Sequence, residues 1–196
     1  MSGPDAGGAR VLHVNVGRAV PVRIGGSDVL SAIGKRAAPG RVAVGRLGLA
    51  GDEQADPSVH GGLAKAVYLY PHRHYTFWET VRAQAGAAPW GEPLAPGALG
   101  ENLTVAGIDE TSLWIGDRLR LPGCVLAVSE PRFPCAKLGA ALGFAQAVRL
   151  MVQSGWCGAY LAVLEPGDVG AGDAITVEPG PREVTLHELF RARARA

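Results

Sequence analysis

The sequence predicts a mainly β fold with peripheral helices, of the α+β class, whose short strands form a partly closed barrel. The 28 glycines and 14 prolines are scattered between short alternating or apolar runs, a pattern typical of many short strands joined by turns. Two segments, residues 116–121 and 172–177, each begin with a Gly-Asp turn and continue with period-two alternation, as barrel strands do where they begin. Helical periodicity is confined to a few segments.

The strands are predicted from this alternation and from the turn residues that bound them. Val11 and His13 alternate with Leu12 and Val14 in the first strand. Pro71 ends a short apolar strand, because proline has no backbone N–H to donate to a sheet. In chain order, the predicted strands cover residues 10–16, 41–47, 67–70, 116–121, 125–129, 160–164 and 172–177.

The helices are predicted from apolar residues spaced three or four apart and from residues that start or stop a helix. Tyr75 and Trp78 share one face of the first helix. Gly155 supplies the stop signal of the second helix. Thr185 and Glu188 have the spacing of a capping box that opens the third helix. These signals place helices at residues 72–85, 144–154 and from 185 onward.

Length and charge limit the domain organisation and the classes of partner. The 196 residues suit one domain, and we expect a flexible N-terminus at 1–9, a β-barrel domain at 10–180 and a C-terminal helix at 181–196. A net charge of +1 gives nucleic-acid binding little electrostatic support. No apolar run approaches the ~18 residues of a membrane span, and the N-terminus does not resemble a secretory signal, so we expect a cytoplasmic protein without a membrane partner.

The cysteines and the basic residues add two further expectations. Cys124, Cys135 and Cys157 are odd in number and include no CxxC pair, so we expect neither a disulfide framework nor a structural zinc site. Cys124 and Cys157 are most simply interpreted as packing residues. Sixteen of the 19 basic side chains are arginine. A GC-rich genome explains this bias more simply than a need for bidentate recognition of anions.

The most informative segment is residues 125–138, where an apolar run ends at two prolines that bracket Arg132 and precede Cys135. Proline restricts its own backbone and that of the residue before it, which predicts a stiff loop leaving a strand. Arg132 and Lys137 lie within three residues of Cys135, and nearby cations favour thiolate over thiol. Such a thiolate could ligate a soft metal or carry sulfur. The alternative is a small cysteine that only packs.

A second segment, residues 51–71, combines ionisable side chains with a glycine pair before a strand. Gly61 and Gly62 allow backbone N–H groups to approach an anion closely, and Lys65 could supply the countercharge. Asp52, Asp56 and His60 are the other ionisable residues that cluster there. The alternative is a surface turn whose aspartates cap the backbone.

A third segment, residues 97–104, places Glu101 and Asn102 between a flexible turn and a strand. An asparagine there could present both a donor and an acceptor to the amide edge of a ligand. Taken alone, this segment is equally typical of an asparagine that stabilises a turn.

These three segments, in this order, resemble the MOSC domain, named for the C-terminal domain of molybdenum-cofactor sulfurases, and in particular its stand-alone bacterial branch of YiiM-like proteins. The resemblance covers roughly residues 10–177. It implies a MOSC-type β-barrel that binds molybdenum cofactor (molybdopterin), with Cys135 as the molybdenum ligand and catalytic residue. It also implies that the cofactor is held by Asp52, His60, Gly61, Gly62, Lys65, Asn102 and Arg132.

Two functional hypotheses follow from the resemblance. The first is a molybdenum-dependent oxidoreductase that reduces N-hydroxylated or related N–O compounds, with a small-molecule substrate and an external electron-transfer reductase. The second is a carrier of sulfur or molybdenum cofactor that bears a persulfide on Cys135. In molybdenum-cofactor sulfurases, a pyridoxal-phosphate-dependent cysteine desulfurase accompanies this domain, so the second hypothesis implies such an enzyme as partner. A third possibility is a barrel that binds another small anion.

Overall fold

The computed structural model describes residues 8–56 and 61–194, which fold around one large mixed sheet. The strands are β1 (Arg10–Val16), β2 (Val20–Ile24), β3 (Ser27–Ser31), β4 (Arg36–Ala37), β5 (Val42–Gly45), β6 (Gly48–Leu49), β7 (Val67–Pro71), β8 (Leu103–Ala106), β9 (Arg118–Arg120), β10 (Val125–Pro131), β11 (Ala159–Glu165), β12 (Gly167–Val169) and β13 (Thr176–Glu178). The helices are α1 (Tyr75–Gln84), α2 (Ala136–Leu142), α3 (Ala147–Ser154) and α4 (Leu186–Ala194).

The main sheet has eight strands in the order β13-β9-β10-β11-β7-β8-β1-β4. Its pairs are antiparallel except β7 with β8, which run parallel with Leu69 opposite Leu103. A three-stranded sheet, β12-β5-β6, and a separate hairpin of β2 and β3 complete the β structure of the described residues. Every strand predicted from alternation is present, and β1 has the predicted bounds. The α+β class is therefore confirmed.

The predicted barrel is wrong in one respect, because the sheet does not close. Between β1 and the segment before β13 there is a single isolated bridge, Arg10–Ala174, and the described residues show no continuous ladder across this seam. Period-two alternation predicts which side of a strand is buried, but it does not determine whether the first and last strands of a sheet pair with each other.

Two apolar clusters hold the fold together. One consists mainly of side chains from the main sheet and the three-stranded sheet and includes the fully buried Val11 and Leu119. The other lies between the sheet and the helices, around Trp78 of α1. The indole Nε1 of Trp78 donates to the Tyr70 hydroxyl at 2.7 Å, so the buried ring keeps a polar partner. Within residues 8–56 and 61–194, every helix is too short or too polar to cross a membrane.

The three predicted helices are confirmed, but the prediction missed helix α2 and the hairpin of β2 and β3. Residues 72–74 form a 3₁₀ turn that leads into α1, and α3 ends at Gly155 in a left-handed conformation, as the stop signal predicted. Seven-residue α2 is too short to show a clear period. The predicted flexible N-terminus lies largely in residues 1–7, outside the described residues. In the predicted C-terminal helix, Leu186 and Phe190 are fully buried.

The capping box of α4 gives a first testable prediction. The Glu188 N–H donates to Thr185 Oγ1 at 3.0 Å, and the Thr185 N–H donates to Glu188 Oε2 at 2.9 Å. Thr185→Ala removes the side-chain cap, so we expect the free energy of unfolding in urea to fall by about 1 kcal/mol. Glu188→Gln keeps an acceptor for the threonine N–H and should cost less. Equal unfolding curves for Thr185→Ala and the wild type would contradict this role.

Candidate functional site

An open cleft brings together most of the residues that sequence reasoning selected. It contains about 620 Å³ of empty space, part of it open to solvent. It lies between the end of the β2–β3 hairpin, the segment after β6, the start of β7 and the loop after β10. Its wall is formed by Ser31, Ala32, Ile33, Lys35, Asp52, Glu53, Gln54, Ala55, Asp56, Lys65, Ala66, Tyr68, Gly100, Asn102, Arg132, Cys135, Lys137 and Tyr160.

Cys135 lies in this wall on the loop that the two prolines predicted. Strand β10 ends at Pro131, and Cys135 adopts an extended backbone conformation immediately before α2. Its side chain is partly exposed, whereas Cys124 and Cys157 are buried. Burial raises the pKa of the Cys124 thiol to about 11, and it raises the pKa of the Cys157 thiol well above its ordinary value. Of the three cysteines, Cys135 is thus the one whose thiol reaches the cleft, and the other two are packing residues as predicted.

Arg132 is buried in the wall and held on two sides. Its Nη1 donates to the carbonyl oxygen of Leu99, and its guanidinium lies 4.8 Å from the centre of the Tyr68 ring. The ring is itself fixed, because the Tyr68 hydroxyl donates to the carbonyl of Cys157 at 2.9 Å. A planar cation fixed between a carbonyl and an aromatic face is preorganised to bind a carboxylate or phosphate.

Asp52 forms a buried ion pair with a residue that sequence reasoning missed, Lys35. The two side chains are 8% and 7% exposed. Asp52 Oδ1 also accepts the Gly17 N–H at 2.8 Å, and Oδ2 accepts Asn102 Nδ2 at 2.8 Å. Each carboxylate oxygen therefore already has a protein donor, so Asp52 acts here as a fixed negative charge that holds the Lys35 ammonium at the wall.

Asn102 reaches the cleft wall, but its carboxamide is already engaged within the protein. Its Oδ1 accepts the Tyr68 N–H at 3.0 Å, and its Nδ2 donates to the carbonyl of Asn15 at 3.2 Å as well as to Asp52. Both amide hydrogens and the oxygen thus have partners. An asparagine that stabilises the fold accounts for these contacts, and a direct contact between Asn102 and a ligand stays a prediction.

The glycine-rich segment is only partly represented in the cleft. Lys65 lines it, with Nζ 3.8 Å from Glu130 Oε1 and 5.8 Å from the centre of the Tyr160 ring. Of the described residues, neither Gly61 nor Gly62 contributes to the wall, and the Gly62 N–H donates to Gln54 Oε1 at 2.8 Å. The predicted site residue His60 lies outside the described residues.

All three lysines of the chain line this one cleft. Lys35, Lys65 and Lys137 come from three distant parts of a sequence in which 16 of 19 basic residues are arginine. Sequence reasoning missed Lys35, and also Tyr68 and Tyr160, which place aromatic rings beside Arg132 and Lys65. The rarity of lysine was the signal that could have found Lys35. The cleft therefore combines the Cys135 thiol with three lysines and Arg132, and its wall also carries the carboxyl groups of Asp52, Glu53 and Asp56.

The buried lysine gives a prediction on pH. Burial lowers the pKa of Lys35 from its ordinary value of 10.5, and the ion pair with Asp52 offsets part of this effect. The unfolded chain then binds the proton more tightly than the folded one. As far as Lys35 is concerned, the free energy of unfolding is therefore highest above pH 10.5, and it decreases as the pH falls from there through the folded-state pKa of this lysine.

We expect the wild type to gain unfolding free energy relative to Lys35→Met as the pH rises toward 10.5. Urea unfolding at several pH values measures this difference. Lys65→Met, which removes a less buried ammonium from the same cleft, is the control. A constant difference between Lys35→Met and the wild type would show that burial does not perturb this lysine.

The fold and the cleft define a class: an α+β protein with a cleft in which a cysteine thiol lies among cationic side chains. The comparisons with known proteins extend this conclusion. Residues 56–176 match the model of the MOSC domain, so the chain belongs to the MOSC domain family, which is associated with molybdenum cofactor binding. The resemblance predicted from the sequence is confirmed.

Relatives and solved structures agree with this membership. The Bacillus subtilis protein YflK is 41% identical over 83% of this chain and 70% of its own length, and Escherichia coli YiiM is 35% identical over 81% and 68%. The crystal structure of YiiM from Geobacillus stearothermophilus is 27% identical, with a TM-score of 0.74 over 95% of this chain and 84% of that one. A Gibberella moniliformis protein named "Reductase" is 35% identical over 94% of this chain, which spans 32% of that longer protein.

Proposed function

We propose that this chain binds molybdenum cofactor in the cleft, with Cys135 as a ligand to molybdenum, and reduces N-hydroxylated or related N–O compounds. The observation that carries the proposal is the convergence of Cys135, Arg132 and every lysine of the chain on one cavity. The association of the MOSC family with molybdenum cofactor supports it. The relative named "Reductase" supports the class of reaction.

The residues present fit such a group. A thiolate is a soft ligand suited to a soft metal centre. Lysine ammonium groups and a fixed guanidinium are suited to the phosphate and the polar ring edges of a pterin. The aromatic rings of Tyr68 and Tyr160, with centroids 5.3 Å apart, line the wall beside these cations.

When bound, the cofactor supplies two-electron redox chemistry, and an external electron-transfer reductase supplies the electrons. The N–O bond breaks with the balance R–NH–OH + 2 e⁻ + 2 H⁺ → R–NH₂ + H₂O. The protein holds a proton at Lys35 Nζ beside this site and orients anionic groups through Arg132. A reducing, cytoplasmic setting is part of the proposal, since the chemistry requires that Cys135 is not oxidised to a disulfide.

The test is the molybdenum and pterin content of protein purified from a host that makes the cofactor. Near-stoichiometric amounts of both, followed by turnover of N-hydroxylaminopurine with an artificial electron donor, are expected. Absence of metal and pterin would overturn the cofactor proposal. Bound cofactor without turnover of this or related N–O compounds would overturn the reductase proposal alone.

A second candidate rests on the accessibility of Cys135, which is partly exposed while the other cysteines are buried. In this proposal a cysteine desulfurase is the partner, and sulfur moves by R–S–SH + Cys135–S⁻ → R–S⁻ + Cys135–S–SH. Mass spectrometry after incubation with a pyridoxal-phosphate-dependent desulfurase and cysteine should then show a gain of one sulfur atom on Cys135. An unmodified thiol under those conditions would count against a carrier role.

A further inference from the structure

A buried carboxylate behind the cleft wall organises the turn that leads to Asn102. Glu101 is fully buried. Its Oε1 accepts hydrogen bonds from the Gly97 N–H at 2.9 Å, from the Thr104 hydroxyl at 3.0 Å and from the Tyr75 hydroxyl. Its Oε2 accepts the Leu99 N–H at 3.1 Å. The carboxylate thus holds two backbone amides of the turn from behind, and two side-chain hydroxyls hold the carboxylate.

The opposite side of this turn, residues 97–100, is equally constrained. Gly97 and Gly100 both have φ of 85°, a conformation that favours glycine. A Cβ atom at Gly97 would lie 2.8 Å from the carbonyl oxygen of Lys35, and one at Gly100 would lie 2.8 Å from Ile33 Cγ1. The turn therefore packs directly against the chain segment that carries Lys35 into the cleft.

The carbonyl that the turn presents toward the cleft is that of Leu99, and it accepts Arg132 Nη1. The N–H of Leu99 thus donates to the Glu101 carboxylate, and its carbonyl oxygen accepts a hydrogen bond from the guanidinium. The guanidinium also lies 4.8 Å from the centre of the Tyr68 ring, a cation–π contact that is less directional than a hydrogen bond. The hydrogen bond to Leu99 adds a directional constraint on the guanidinium.

We propose that Glu101 is the positioning residue for Arg132, acting through the Leu99 peptide, so that the guanidinium keeps one orientation before a ligand arrives. The importance of this orientation for ligand binding rests on the function proposed above. Glu101 does not line the cleft, and it acts without touching the ligand. Preorganisation of this kind raises affinity by removing the cost of ordering a side chain on binding.

Two substitutions at the same carboxylate separate positioning from simple stability. Glu101→Gln keeps the volume of the side chain but replaces one carboxylate oxygen with an NH₂ group, which cannot accept from the donor it faces. Among the bonds described, Leu99 is the sole donor to Oε2, so an NH₂ group at that position removes the hydrogen bond to Leu99. Tyr75→Phe removes a different donor and leaves both backbone hydrogen bonds of the turn in place. Both variants lose one hydrogen bond to Glu101, so a general loss of stability should appear in both.

The primary readout is the guanidinium NMR spectrum of Arg132 in ¹⁵N-labelled protein without ligand. Separate Nη signals, which require restricted rotation, are expected in the wild type and in Tyr75→Phe, and averaged signals in Glu101→Gln. Cofactor retention in a cofactor-competent host should fall about tenfold in Glu101→Gln alone. Unchanged Arg132 signals in Glu101→Gln, or equal averaging in both variants, would overturn the proposal.

A measurement on the wild type keeps the inference testable if Glu101→Gln does not fold. The Leu99 and Gly97 amides should exchange slowly with deuterium, because their acceptor is buried. If the Leu99 amide exchanged fast while the Arg132 guanidinium stayed ordered, the proposed action of Glu101 on Arg132 through the Leu99 peptide would be overturned. Since these readouts need no cofactor, a wild type that never binds molybdenum would overturn the proposed function and leave the positioning role standing.

Discussion

Replacing Cys135 with serine should lower the molybdenum content of the purified protein by at least about 10- to 100-fold, the range in which even outer-shell changes lower metal affinity. The physical reason is that serine offers a hard hydroxyl that stays protonated near neutral pH, whereas a cysteine near cations offers a soft thiolate. The measurement is metal and pterin per chain for wild type and variant prepared side by side.

Cys124→Ser is the matched control, since it makes the same atomic change at a buried site away from the cleft. It should lower stability but leave the metal content per folded chain unchanged. Full molybdenum retention by folded Cys135→Ser would contradict ligation through this sulfur. Pterin retained without metal in that variant would show that the cations of the cleft hold the organic part of the cofactor independently of the thiol.

Asn102→Leu should lower the free energy of unfolding by about 3–5 kcal/mol, the largest stability effect that we expect at the cleft. The substitution keeps the size of the side chain but leaves the Tyr68 N–H, the Asn15 carbonyl and Asp52 Oδ2 without their partner. Each buried group left unsatisfied costs about 1–3 kcal/mol, and part of this is regained where water can reach it.

The loss can be measured by urea unfolding, with Gln54→Met as the control. Gln54 also uses its amide to hold backbone groups, Leu47 and Gly62, but in a more exposed part of the wall. Its replacement should cost about 1 kcal/mol. A similar small cost for Asn102→Leu would show that its partners find other hydrogen bonds, and the structural interpretation of Asn102 would then be wrong.

The fold could be predicted where a single strand or helix carries its own signal. Strand β1, the stop at Gly155 and the capping box at Thr185 are local features, and the structure contains them as predicted. The β2–β3 hairpin was missed although Gly25 and Gly26 form its turn, because its strands are largely exposed and show no burial pattern. The open seam near Arg10 depends on pairing between distant strands, which alternation does not specify.

The site was predictable to the extent that its chemistry lies within one segment. Arg132 and Cys135 are three residues apart, and the structure brings both to the cleft. Lys35 was missed because nothing in its own segment marks it, and its partner Asp52 is 17 residues away. Asn102 illustrates the opposite case, since its position was predicted but its hydrogen bonds depend on strands β1 and β7, which are distant in sequence.

The gathering of all three lysines in one cleft also has a practical consequence for chemical labelling. Apart from the chain terminus, the described protein has its primary amines at this cleft and nowhere else, because the remaining cations are guanidinium groups. Acylating reagents and amine-reactive dyes therefore address the cleft rather than the general surface. Lys35, with a side chain 7% exposed, is shielded from them by the protein itself, while Lys137 is only partly buried. The number of acylated lysines, counted by mass spectrometry, thus reports whether the cleft is occupied.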